Sequence, residues 1–141
     1  MNQSHQVLFL CTGNSCRSQM AEAIVNAQPG FDWKAYSAGT KPTGFIHPMA
    51  LRTLAEIGIE HQGRSKSVDE VRDVPFDLVV TLCDSAAEEC PIWLDQGNQV
   101  HIGFPDPAKA NGGDKEVMAV FREVRDDIRR EVVALLEVYA N

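Results

Sequence analysis

Residues Val7–Leu10 (Val-Leu-Phe-Leu) are apolar at every position and run straight into Cys11-Thr12-Gly13-Asn14-Ser15-Cys16-Arg17-Ser18, after which a helix-compatible stretch begins. A strand that is apolar on both faces needs cover on both faces, which is the situation of a central strand in a parallel sheet. A loop of small residues leading from such a strand into a helix falls at the carboxyl edge of the sheet, where α/β folds bind their ligands. The segment therefore points to the α/β class and to the place where a site would lie.

The rest of the chain agrees with that frame. A helix is expected from about Ser18 to Ala27, with Met20, Ile24 and Ala27 on one side, stopped by Pro29-Gly30. Trp33–Ser37 is expected as a second strand, ended by Gly39, and a second helix from Pro48 to about Ile57 with Leu51, Leu54 and Ala55 inward and Gly58 just past its end. Ser67–Val74 holds a short helical turn, Leu78–Leu82 is the strongest strand by composition, and Val100–Gly103 is expected as a short, buried fourth strand. From Asp114 to about Tyr139, Val117, Phe121, Val124, Ile128, Val132, Leu135 and Tyr139 recur at helical spacing as a packing stripe. Alternating strands and helices imply one domain spanning residues 1–141, with a four-stranded parallel sheet, helices on both faces and right-handed crossovers.

The loop Cys11–Ser18 has the composition of a cradle for a tetrahedral oxyanion. Small residues let successive backbone N–H groups converge, and the following helix adds the positive end of its dipole. Arg17 supplies a planar fork of donors that matches two anion oxygens. Cys11 then lies beneath the anion as a candidate nucleophile, and positive surroundings are expected to lower its thiol pKa. The candidate anion ligands are Thr12, Gly13, Asn14, Ser15, Cys16, Arg17 and Ser18. Taken singly, Gly13-Asn14 could serve only as a turn and Ser15 or Ser18 only as a helix cap; the Cys–Arg spacing in a strand–loop–helix context is what those readings leave unexplained.

Thirteen basic against twenty acidic residues give a formal charge of −7, which argues against nucleic acid or an anionic membrane as partner. An anion must then be drawn in by local donors against the global field. The N-terminus lacks a signal-peptide pattern and no apolar window is long enough to span a bilayer, so a cytoplasmic location is expected. In that reducing compartment the four cysteines are not expected to form a static disulfide framework. Cys11, Cys16, Cys83 and Cys90 also lack the paired Cys-x-x-Cys spacing of a zinc knuckle, which leaves catalytic or redox use.

Cys83 follows Leu82 as Cys11 follows Leu10, so both thiols leave the sheet at the same edge and come within reach if their strands are neighbours. Cys90 is seven residues on, in Cys83-Asp84-Ser85-Ala86-Ala87-Glu88-Glu89-Cys90-Pro91. Seven helical residues span about 10.5 Å, whereas a disulfide needs Cα atoms within roughly 7 Å. A Cys83–Cys90 bond would require that segment to unwind or loop. Asp106, held in Phe104-Pro105-Asp106-Pro107, is a candidate general acid for a leaving oxygen, against the plain reading of a surface turn. His47 and His101 are expected to be structural, and His5 and His61 carry no signal.

With these residues assembled, the chain resembles the arsenate reductases built on the low-molecular-weight protein tyrosine phosphatase fold, in their thioredoxin-coupled branch. The resemblance rests on Cys11–Ser18 with Gln19-Met20-Ala21-Glu22, on Val79-Val80-Thr81-Leu82-Cys83, on Cys90-Pro91, and on Gly103-Phe104 leading to Asp106-Pro107. It implies that Cys11 attacks arsenate held by the loop amides and Arg17, with Ser18 stabilising the thiolate and Asp106 protonating the departing oxygen. It further implies a relay in which Cys83 attacks Cys11, Cys90 attacks Cys83, and thioredoxin reduces the resulting Cys83–Cys90 disulfide, with no metal and no cofactor. Cys16 has no step in it. Some family members are associated with a potassium ion, for which Asn14, Glu22 and Ser37 are candidate ligands; Lys66 stands where an acidic residue is expected, so no required potassium is expected. The alternative is a phosphatase acting on phosphotyrosine or small phosphoesters, although Pro107-Ala108-Lys109 lacks the tyrosines usual after that branch's Asp-Pro.

Overall fold

The computed structural model describes residues 5–83 and 98–140. Four strands, β1 (His5–Cys11), β2 (Trp33–Gly39), β3 (Leu78–Thr81) and β4 (Asn98–His101), form one parallel sheet in the order β2-β1-β3-β4. Among the described residues three α-helices accompany them: α1 (Arg17–Asn26), α2 (Pro48–Glu56) and α3 (Asp114–Ala140). β1 is central because Val7, Leu8, Phe9 and Leu10 are all fully buried, as a two-sided apolar run requires. The register sets Leu10 opposite both Ala38 and Thr81, and Cys11 opposite Gly39. The chain passes from β1 to one side of the sheet and later to the other, so the loop after β1 sits at the point where the strand order reverses.

Strand alternation divides the core. Val7, Phe9, Leu78 and Val80 face the three α-helices, packing with Met20, Ile24, Leu54, Phe121, Ile128 and Leu136. Leu8, Leu10 and Val79 face the other way, against a 3-10 turn, Val68–Val71, with Tyr36 and Phe76 at its margin. Helical cover therefore lies on both faces, with the long helices on one.

Several inward faces differ from expectation. In α2 the buried residues are Ala50, Thr53 and Leu54, while Leu51 is half-buried and Ala55 exposed. His47 caps the helix by accepting from Met49 N, and Pro48 at the first turn sets the phase. Thr53 can face inward because its hydroxyl donates to the Met49 and Ala50 carbonyls. Ala27 is the exposed C-cap of α1, and Ala23 takes the buried place. At the end of α3 the buried residue is Leu136, since a 3.6-residue period drifts past Leu135. Tyr139 instead reaches the lower sheet edge, its ring 5.7 Å from Trp33 and its hydroxyl donating to the Asp77 carbonyl. The fourth strand starts two residues early and is largely exposed, because as an edge strand it is covered on one side; Ile102 N and Phe104 N then continue along β3 by donating to Thr81 and Leu82.

α2 and α3 are also joined by charge. Arg125, 8% exposed, donates to the Thr53 carbonyl and to Glu56, which accepts from Arg122 as well. These two guanidinium groups hold the Glu56 carboxyl down at about 2, below its usual value. A depressed carboxyl contributes stability above its unfolded pKa and loses it as pH falls through the folded value. Thermal unfolding of Glu56→Gln should show a lower midpoint near neutral pH and a shallower decline than wild type between about pH 4.5 and 2. Parallel wild-type and variant profiles would contradict this role.

Candidate active site

The loop after β1 is shaped by where its carbonyls go. Cys11 O accepts from Thr40 N at 3.3 Å, Thr12 O from Lys41 N at 2.9 Å, Gly13 O from Thr43 N at 3.0 Å and Ser15 O from His47 N at 3.1 Å. Gly13 O also accepts from the Ser65 hydroxyl, and Asn14 O from the Gln19 carboxamide. Five successive carbonyls are thus turned outward onto the 40–47 strap, Ser65 and the first turn of α1. Peptide geometry then turns the opposite edge of the loop, with its N–H groups, toward the cleft. Gly39 makes the close approach possible: a Cβ there would lie 2.5 Å from the Thr12 carbonyl oxygen.

Asn14 is fully buried and takes a left-handed conformation, φ 50°. Its side chain meets that constraint with bonds in three directions. Nδ2 donates to Ser18 Oγ at 2.8 Å, and Oδ1 accepts from Lys66 N at 2.9 Å and Gln19 Nε2 at 3.0 Å. Ser18 is fully buried, and because its oxygen accepts from Asn14 its hydroxyl proton is left to donate elsewhere.

The cleft, about 200 Å³, is lined by Cys11, Gly13, Ser15, Cys16 and Arg17 on its floor and by Thr43, Phe45, His47, Asp106 and Ala108 at its rim. Arg17 Nη1 donates to the Phe104 carbonyl at 3.0 Å, and Nη2 lies 3.7 Å from Asp106 Oδ2. Its Nε is buried with no hydrogen-bond partner among the described residues. Leaving such a donor unpaired costs about 1–3 kcal/mol, and an oxyanion on that edge of the guanidinium would offset it. Asp106 is placed from the neighbouring strand: Phe104 N is tied to Leu82 O, and Asp106 Oδ1 caps the Pro107–Lys109 turn through Ala108 N at 3.0 Å. Its Oδ2 is the oxygen on the Arg17 side.

The two strand-end cysteines meet. β1 and β3 are paired, and the Cys11 and Cys83 thiols share a hydrogen bond. Both are buried and unbridged. Thr12, expected as an anion ligand, turns its hydroxyl to Cys83 Sγ at 3.2 Å, which leaves its backbone for the loop. The contact overturns the expectation of a depressed Cys11 pKa. Hydrogen bonding to Cys83 and burial push the Cys11 thiol up, and the opposing pull of Arg17 and the Thr12 N–H is smaller. Burial likewise pushes Cys16 up to about 11, with Asp106 adding to the effect and Ser15 and Arg17 opposing it, so Cys16 stays a neutral thiol near neutral pH. Cys90 lies outside the described residues.

Residues 6–140 match the family model for low molecular weight phosphotyrosine protein phosphatase. The chain belongs to that family. Within it, an arsenate reductase of Halalkalibacterium halodurans is 46% identical over 132 residues, 93% of this chain and 94% of that one. An arsenate reductase solved in a phosphate-binding state superposes with a TM-score of 0.79 at 28% identity, covering 94% of this chain and 97% of the other. A thioredoxin-dependent arsenate reductase of Corynebacterium glutamicum superposes with a TM-score of 0.71 at 25% identity, over 96% of this chain and 63% of that one.

Asn14, Glu22 and Ser37, considered above as candidate cation ligands, make internal hydrogen bonds. Both Lys66 N and Gln19 Nε2 donate to Asn14 Oδ1, and Ser37 Oγ donates to Glu22 Oε1 at 3.0 Å. Glu22 Oε2 faces His61 Nε2 at 3.6 Å, and the Lys66 ammonium, whose pKa is lowered mainly by burial, acts on Glu22 electrostatically. Gln19, Ser65, Lys66 and His61 were not picked out as loop supports by sequence reasoning, because a buried amide inside a helix has no signature until its partners are known.

Removing Cys83 removes the leading cause that raises the Cys11 pKa. In Cys83→Ala, alkylation of Cys11, read by peptide mapping, should shift to lower pH and accelerate near neutral pH by about threefold per unit of downward shift. An unchanged or upward-shifted profile would show that the contact does not govern this thiol.

Proposed function

We infer that this chain reduces arsenate to arsenite by a thiol relay, and that residues 1–141 act as one catalytic domain. The observation that carries the reading is that Cys83 follows the strand paired with β1 and comes to the nucleophile loop, its sulfur 3.2 Å from the Thr12 hydroxyl and acting on the adjoining Cys11 thiol. A phosphatase needs one thiol and water at this point, whereas a two-electron reduction needs a second thiol beside the first. The arsenate reductase relatives and the thioredoxin-dependent structural neighbour support the same choice.

Arsenate would be bound by the N–H groups of residues 12–18 and by Arg17, with the Arg17 Nε finding its partner in an anion oxygen. Cys11 attacks arsenic once its proton has been given up, and an oxygen leaves as water with a proton from Asp106. Ser18 donates its free hydroxyl proton toward the Cys11 sulfur. Cys83 then attacks the Cys11 sulfur of the adduct; the sulfur–arsenic bond breaks, and its electron pair stays on arsenic. Arsenic passes from the +5 to the +3 state and leaves as arsenite while two thiols become the Cys11–Cys83 disulfide. Cys90 attacks Cys83, Cys11 departs as a thiolate, and a dithiol of thioredoxin reduces Cys83–Cys90. The two sulfurs supply both electrons, so no step calls for a metal or a cofactor. Among the described residues no helix is long and apolar enough to cross a membrane, and a reducing cytoplasm is the compartment in which such a relay can be reset.

Arsenite release with a thioredoxin system, measured beside phosphoester hydrolysis, tests the assignment. Wild type should turn over repeatedly, and Cys90→Ser should complete one turnover and then stop. Efficient phosphoester hydrolysis with no thioredoxin-dependent arsenate turnover would sink the relay in favour of a phosphatase.

A further inference from the structure

Behind the loop, His61 takes part in a contact that the relay does not use. Gln19 is fully buried, and its amide nitrogen faces three acceptors: Asn14 O at 3.2 Å, Asn14 Oδ1 at 3.0 Å and Arg64 O at 2.9 Å. The reverse orientation would set the carboxamide oxygen against three other oxygens, so Oε1 lies on the His61 side, 2.7 Å from Nε2. A carboxamide oxygen can only accept, and His61 must therefore carry its proton on Nε2. The imidazole side chain is 8% exposed, and the same Nε2 also lies 3.6 Å from Glu22 Oε2, a longer approach than the 2.7 Å to Gln19. Room for this arrangement comes from Gly63: a Cβ there would lie 2.4 Å from His61 Nε2 and 2.7 Å from Gln19 Oε1.

We propose that His61 is a positioning residue for anion binding, acting through Gln19 on Asn14. Asn14 is the one non-glycine residue with positive φ among the described residues, and a side-chain-bearing residue in that region is held there at a cost. Gln19 bonds both its backbone carbonyl and its side-chain oxygen. Without the His61 donor, Oε1 is left unsatisfied in a buried site and the carboxamide is free to turn, which releases Asn14 and loosens the crown of the loop. Binding then has to order the loop as well as neutralise the anion, and affinity falls.

The inference rests on the reading of this loop as an oxyanion site, and the probe is inorganic phosphate titrated calorimetrically into the full-length protein. His61→Ala should bind phosphate about tenfold more weakly than wild type. His61→Gln, which keeps an N–H donor, should recover to within about twofold. Gly63→Ala keeps the imidazole but displaces it, and should reproduce the His61→Ala loss; it carries the test if His61→Ala does not fold. Wild-type affinity in His61→Ala or Gly63→Ala would overturn the proposal, as would a His61→Gln as weak as His61→Ala. A wild-type protein that fails to bind phosphate would overturn the loop reading itself, and the proposal with it.

Discussion

Everything at this site depends on the outward turn of five carbonyls, from Cys11 to Ser15. Each finds its partner in chain that is remote from β1 or in the first turn of α1: the 40–47 strap, Ser65, and the Gln19 carboxamide. Free in solution, a loop of this composition would sample many conformations. Once the carbonyls are tied down outside, the amides have one direction left, and the loop is ordered before an anion arrives. In the proposed function, that ordering is what lets a chain of net charge −7 hold an anion. The attraction is local, made of converging dipoles and one guanidinium whose Nε has no internal partner.

The same geometry sets the state of the nucleophile. Arg17 alone would favour a Cys11 thiolate, but Cys83 and burial outweigh it. The pair is thus stored as two neutral, neighbouring thiols. Thr12 joins the two halves, since its carbonyl is fixed by Lys41 and its hydroxyl meets the Cys83 sulfur. A loop that serves only hydrolysis has no evident use for that second contact.

Much of this was legible in the residues. The all-apolar Val7–Leu10 run marked a central strand, and the positions of Cys11 and Cys83 after their strands marked one shared edge of the sheet. What escaped were features set by long-range packing. The phase of α2 follows from its cap and from Thr53 hiding its hydroxyl, so an inward threonine displaced Ala55. The exposure of β4 follows from its place in the strand order, which no local pattern encodes. The direction of the Cys11 pKa differs from expectation because the positive charge is legible in the sequence, while the hydrogen bond to the neighbouring sulfur and the depth of burial are set by packing. His61 was passed over for the same reason: its meaning lies in Gln19 and in the missing side chain of Gly63.

In the proposed relay, two electrons pass from sulfur to arsenic within this one chain. The most direct measurement is to mix the reduced protein with one equivalent of arsenate in the absence of any reductant, then map its cysteines by mass spectrometry. The relay predicts loss of two hydrogens from the intact mass, a cross-link between the peptides carrying Cys83 and Cys90, a Cys11 that still accepts an alkylating agent, and one equivalent of arsenite. An intact mass unchanged by arsenate, with all four cysteines alkylated and no arsenite formed, would contradict it.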